Sequence, residues 1–215
     1  MDESKENRKI ETKELVRQYL KRKYPDAQFS DIDLDFLVRY SVKKEPSANN
    51  ILKSIGNDIQ TEQAYYNAHP AVKAAKDDFQ YIYGRFSQKQ KDYKNAFNGS
   101  FEAFLAWWCE KTHEDGIRKC WYCEVDEDTV RAAFAKDEKG ECVISSKKRS
   151  FSGELQIERK DPDGDYCDNN CEFACVICNN AKSDMISAED FTKFFVPGIK
   201  EYWEHIEEEI KKKNP

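Results

Sequence analysis

The sequence predicts an α+β protein, mostly helical, in which a helical N-terminal region precedes a small module stapled by cysteines. Three observations predict it. Apolar residues in the first half recur at helical spacing and do not alternate as in a strand. Seven of the eight cysteines stand at or beyond Cys120, with only Cys109 upstream. Two short stretches in the second half, around Leu155–Ile157 and Cys171–Ala174, have strand-like patterning. The change of character near Gly116 divides the chain into a helical accessory region, 1–115, and a second domain, 116–215.

Each element has a local reason. Ile10, Leu15, Val16, Tyr19 and Leu20 fall at helical spacing, and Pro25 ends that helix after a polar, frayed start over residues 1–9. Ser30 is placed to cap a second helix carrying Leu34, Phe36, Leu37 and Tyr40. A loop around Pro46 and a short helix at 51–55 follow. Residues 60–95 read as one or two helices broken near Pro70. Asn98 to Ser100 reads as a turn, and Ser100 caps a helix with Phe101, Phe104, Leu105, Trp107 and Trp108. Those aromatics read as core rather than as a stacking platform. Ser187, with Glu189 and Asp190 behind it, marks another helix start. Pro197 opens a last helix with Tyr202, Trp203, Ile206 and Ile210, and Lys211–Lys213 suits its end.

Composition narrows the function. Charged residues make up 35% of the 215, against about 25% in an average soluble domain. Aromatics at 13% argue for a packed core rather than disorder. No apolar run approaches the roughly 20 residues that span a bilayer. The start, MDESKENRKI, lacks the apolar stretch of a secretory signal. The expectation is an intracellular, cytoplasmic protein with no membrane partner. Its cysteines are then thiols or metal ligands rather than a disulfide framework. A net charge of −6 excludes a generally basic, nucleic-acid-coating protein but leaves room for a local basic patch.

The cysteine spacing carries the first specific chemistry. Cys120–Cys123 and Cys175–Cys178 are two C-x2-C pairs. Each pair chelates from a tight knuckle, and two pairs complete a tetrahedral four-sulfur site suited to structural Zn2+. Such a site has no open position, so its role is to join the chain near 120 to the chain near 178. Cys167 and Cys171 have a looser spacing; Cys171 is expected to face a strand core and Cys167 to sit in a loop.

The stretch Leu155–Pro162, followed by Asp168–Asp184, carries a family pattern. Asn170 stands five residues before Cys175, Asn179 follows Cys178 directly, and Ala181, Lys182, Ser183 and Asp184 continue it. This pattern resembles the HNH family of nucleases, over about residues 118–195. The resemblance implies a ββα-metal (His-Me) finger, in which a β-hairpin and a helix grip one divalent ion. It implies Glu158 and Asn179 as ligands of a catalytic Mg2+ or Mn2+, with Asn170 as the loop asparagine. Where the family usually has Asp-His on the first strand, this chain has Glu158-Arg159. An arginine does not deprotonate and cannot serve as general base. The arrangement, with Tyr166 four residues before Asn170, resembles a branch carrying Asp/Glu-Arg instead. Arg159 is read as holding the scissile phosphate bidentately. Water activation is left to the metal alone, to Asp161, Asp163 or Asp165, or to His113. His113 is the best placed of His69, His113 and His205, because it precedes Cys120 by seven residues.

The implied function is a metal-dependent endonuclease that hydrolyses phosphodiester bonds of nucleic acid, DNA by expectation. Residues 143–160 hold Lys147, Lys148, Arg149, Arg159 and Lys160 against two acids, whereas 161–190 hold eight acids and only Lys182. The backbone contact is therefore placed on Lys147, Lys148, Arg149 and Lys160, with Lys182 added from the motif. Two other readings stay open. One is a catalytically inactive module of the same fold that binds nucleic acid or a protein. The other is a nuclease subunit of a phage-defence or mobile-element system, active only in a complex docked through the helical N-terminal region.

Overall fold

Ser30 shows how local chemistry starts a helix here. Its hydroxyl accepts from the Asp33 backbone N–H at 3.2 Å, and the Asp33 carboxylate takes the Ser30 N–H and hydroxyl, both at 2.7 Å. This reciprocal box satisfies donors that a helix start otherwise leaves without partners. The computed structural model describes residues 3–38, 62–145, 151 and 153–213. The loop expected around Pro46 and the helix expected at 51–55 lie outside the described residues, as do Lys147, Lys148 and Arg149. The chain divides into two compact units, Met1–Glu110 and Lys111–Pro215.

The first unit is helical. It comprises α1 (Glu3–Lys23), α2 (Asp31–Val38), α3 (Glu62–Ala68), α4 (Pro70–Asp92), a tight turn at Ala96–Gly99 and α5 (Phe101–Glu110). Pro70 occupies the first turn of α4, where its missing N–H costs nothing, and separates α4 from α3. The turn holds Phe97 and Asn98 in the left-handed region, at φ 51° and 54°. Phe97 tolerates this because its ring is buried edge-on to Phe104. Ser100 then caps α5 by accepting from the Ala103 N–H at 3.3 Å. Val16, Tyr19 and Leu20 of α1 pack with Phe79 and Ile82 of α4 and Phe104, Trp107 and Trp108 of α5 in the buried core. None of these aromatics is available as an exposed stacking platform. α1 begins at Glu3 rather than near Ile10. Its polar start is rich in Glu, Lys and Arg, which are good helix formers.

The second unit holds the sheet. It comprises α6 (Glu127–Phe134), β1 (Gln156–Arg159), β2 (Cys171–Ala174), α7 (Val176–Lys182), α8 (Ala188–Phe194) and α9 (Val196–Lys213). The fold is thus α+β and mostly helical, with one two-stranded antiparallel sheet among the described residues. Ser187 caps α8 as expected, accepting from the Asp190 N–H at 3.0 Å. α6 was not anticipated from the sequence. Asp126 caps it by accepting from the Thr129 N–H at 2.6 Å, and Glu127 and Asp128 sit in its first turn. α9 packs against α6, α7 and α8. It buries Trp203 and Ile206 but leaves Tyr202 exposed. Among the described residues, no helix is long and apolar enough to cross a membrane.

Candidate functional site

Two tight knuckles bring four sulfurs together. In the first, the Cys120 N–H donates to Val125 O at 2.9 Å and the Glu124 N–H returns to Cys120 O at 2.8 Å, with Glu124 left-handed at φ 65°. The Trp121 N–H docks that knuckle on Phe173 O of β2 at 2.8 Å. In the second, Cys175 is the N-cap of α7, and its sulfur accepts from the Cys178 N–H at 3.4 Å. The Sγ atoms of Cys120, Cys123, Cys175 and Cys178 are buried and all lie within 4.8 Å of one another. Cys123 and Cys175 have their sulfurs 3.8 Å apart. A disulfide needs about 2.05 Å. Zn–S bonds of about 2.3 Å place tetrahedral sulfurs about 3.8 Å apart. The donor set therefore fits a structural metal such as zinc. Burial opposes ionisation of Cys120, but hydrogen bonds from Cys123, Cys175 and Cys178 outweigh it and hold that thiol well below its usual range, while the hydrogen bonds with Cys120 push Cys123 and Cys178 above theirs. Cys171 is buried in β2 and Cys167 lies in the loop before it, as the sequence suggested.

The hairpin register sets the rest of the site. Glu158 pairs with Glu172 across the strands, Ile157 with Phe173 and Arg159 with Cys171. Paired residues share a face, so the two carboxylates stand side by side. Three lysines neutralise them. Lys182, at the end of α7, donates to Glu158 Oε1 at 2.7 Å and to the Arg159 carbonyl at 3.1 Å. Lys111 donates to Glu172 Oε1 at 2.7 Å, and Lys160 lies 3.6 Å from the same oxygen. The Tyr122 hydroxyl donates to Glu158 Oε2 at 2.8 Å. Burial, then the bond to Glu158, pushes the Tyr122 phenol above its ordinary range, so it stays the donor. Sequence reasoning missed Tyr122, Glu172 and Lys111. The alternation within the strands was a signal for Glu172, but only the register reveals its partner.

The residues nominated from the sequence separate into groups. Arg159 is half-buried. It donates to Gly164 O at 3.1 Å, lies 4.8 Å from the centre of the Tyr166 ring and reaches Asp184 Oδ1 at 3.5 Å. Asn170 braces the loop between the strands. It accepts from the Asp161 N–H at 2.9 Å and donates to the carbonyls of Asp161 and Asp165, each at 3.0 Å. Asn179 lies on α7 and donates its side-chain amide to Gln156 Oε1. His113 is exposed, and among the described hydrogen bonds its ring joins none of these residues. Lys160 is half-buried, 5.6 Å from the centre of the Trp121 ring.

Lys182 requires a correction. The sequence reading made it a nucleic-acid contact, yet it is fully buried and ion-paired. Its side chain has no exposed surface to offer a backbone in solution. The donor set for Mg2+ or Mn2+ also does not fit. Glu158 is buried with both oxygens engaged, and its neighbour across the sheet is committed to two lysines. Among the described residues, the four cysteines are the one group of three or more His, Cys, Asp or Glu poised around a common point.

Neither a known family profile nor a curated protein matches the sequence. A solved structure of the rare-cutting HNH restriction endonuclease PacI is similar at 22% identity and a TM-score of 0.42, over 58% of this chain and 78% of that one.

Proposed function

We propose that the second unit is an HNH-type nuclease finger that binds nucleic acid, DNA in the first instance, and hydrolyses its phosphodiester bonds. The helical region, 1–115, is an accessory part in this reading and the nuclease domain is 116–215. One observation carries it. The β-hairpin runs from β2 straight into the Cys175 knuckle and α7, and α7 returns Lys182 to Glu158 beside Arg159. That is the chain order of a ββα unit with a structural four-cysteine site and an arginine at its mouth. Arg159 has a planar fork suited to a phosphate, and Asp184, an exposed carboxylate, is the partner a phosphate would replace. Lys160, with Lys147, Lys148 and Arg149, is assigned to the nucleic-acid backbone.

The resemblance also implies a catalytic Mg2+ or Mn2+ on Glu158 and Asn179. The engaged donors argue against it, and no step is routed through such an ion. A second reading is favoured by the same sealed carboxylate together with the exposed His113. In it the unit binds nucleic acid or a protein partner without cutting, alone or until a complex forms.

A plasmid-nicking assay with purified full chain, in Mg2+, Mn2+ or EDTA, tests the reading beside Arg159→Ala and Asn179→Ala. Nicking is expected from the wild type. Arg159→Ala should lower turnover on the order of 100-fold, as loss of one transition-state donor does, while DNA binding falls much less. No nicking under any condition from folded, zinc-loaded protein would move the assignment to the binding module. Equal loss of turnover and binding in Arg159→Ala would remove its catalytic role.

A further inference from the structure

The cation that meets Glu158 in this fold belongs to the protein. Side-chain exposure is 0% for Lys182 and 6% for Glu158. Lys182 Nζ takes Oε1 at 2.7 Å, and the Tyr122 hydroxyl takes Oε2 at 2.8 Å. We propose that the Lys182 ammonium is the resident cation of this site, standing where the HNH resemblance expects a divalent ion.

Three observations support it. Mg2+ demands a near-octahedral set of oxygens and keeps several waters, and Mn2+ likewise favours octahedral oxygen sites. A carboxylate as buried as Glu158 leaves little room for that shell. The other expected ligand, Asn179, is bonded to Gln156, an uncharged neighbour. A dication approaching Glu158 would also have to expel an ammonium that is held by a second bond, to the Arg159 carbonyl at 3.1 Å.

The pairing has a consequence for Arg159. An uncompensated carboxylate one residue away would repel a phosphate held by that guanidinium. Lys182 cancels the charge of Glu158 beside Arg159. Lys182 is a positioning residue in this account: it acts through Glu158 and Arg159 and does not touch substrate. The further consequence, that cleavage proceeds without an added divalent ion, rests on the nuclease reading above. The occupancy of Glu158 does not, and it is read without any cleavage.

The test is amide NMR of isotope-labelled, zinc-loaded full chain with Mn2+ in excess. A bound Mn2+ erases the peaks of nearby amides. The wild type is expected to keep the Tyr122, Glu158 and Lys182 peaks. Their selective loss would overturn the proposal. Loss confined to amides remote from Glu158 supports it, because the ion then sits elsewhere. Lys182→Ala is expected to open the carboxylate, so that the same Mn2+ erases the Tyr122 and Glu158 peaks. A folded Lys182→Ala protein that keeps those peaks would overturn the claim that the ammonium keeps the ion out. Where that variant does not fold, the wild-type result decides alone. An absence of nicking in every buffer counts against the nuclease reading and leaves the Mn2+ result standing.

Discussion

Glu158 and Glu172 face each other across the hairpin, both buried, and each is neutralised by different lysines. Two like charges in one cross-strand pair destabilise a sheet unless something compensates them. Here the compensation comes from three separate places: Lys182 from α7, Lys160 from the loop, and Lys111 from the segment before the first knuckle. A hairpin with strands of four residues is marginal alone. Its formation is therefore tied to the docking of α7 and of that upstream segment.

Breaking the Glu158–Lys182 pair on one side leaves a buried charge without its partner. Glu158→Gln or Lys182→Met alone is expected to cost about 3–5 kcal/mol. The double variant should lose clearly less than the sum, measured by urea unfolding. Additive losses would show that the two side chains are not coupled.

Metal binding and folding of the second unit are expected to be one event. Cys120→Ser or Cys178→Ser should release the zinc and abolish the thermal transition of residues 111–213, because structural zinc contributes about 10–16 kcal/mol in small domains. Zinc content by a chelator dye and a melt by circular dichroism measure this. A variant that keeps both its metal and its transition would refute the four-cysteine assignment.

The loop between the strands hangs on one side chain. Asn170→Ala removes three hydrogen bonds, at 2.9, 3.0 and 3.0 Å, and should cost about 1–3 kcal/mol. Gly164→Ala should disturb the same clamp, because a Cβ there would meet Asn170 Nδ2 at 2.7 Å. Hydrogen exchange over residues 161–170 should accelerate in both variants and stay slow in β2. Unchanged exchange in Asn170→Ala would mean that the loop is held by other contacts.

The first unit should lose stability in alkali through Tyr65. Burial, then its hydrogen bond to Asp33, pushes the phenol above its ordinary range. An unfolded tyrosine ionises near pH 10, so above that pH the unfolded chain binds fewer protons than the folded one. Stability from this group is therefore full below about pH 10 and falls as pH rises past it. Urea midpoints across that range should fall for the wild type and fall less for Tyr65→Phe. Equal falls would show that Tyr65 does not contribute.

The legible parts of this protein are the short-range ones. Ser30, Ser100 and Ser187 each bond a backbone N–H three residues on, and Pro70 breaks the helices at a position it dictates itself. The α6 helix carries the same kind of signal, an Asp126 cap with acids behind it. A lysine at a helix end reads as solvent-facing, and only the docking of α7 buries Lys182 against Glu158. The strand segments were visible, but their pairing of Glu158 with Glu172 was not.

What the sequence determined by itself was therefore most of the helix starts and breaks, the two strand segments and the four sulfur ligands, since caps, breakers and C-x2-C knuckles are settled by bonds within a few residues. What only the tertiary structure decided was which charges meet. Burying Glu158 requires a cation at that point, and the docking of α7 makes that cation Lys182. The cost of an unpaired buried charge turns a residue read as a surface contact into part of the core.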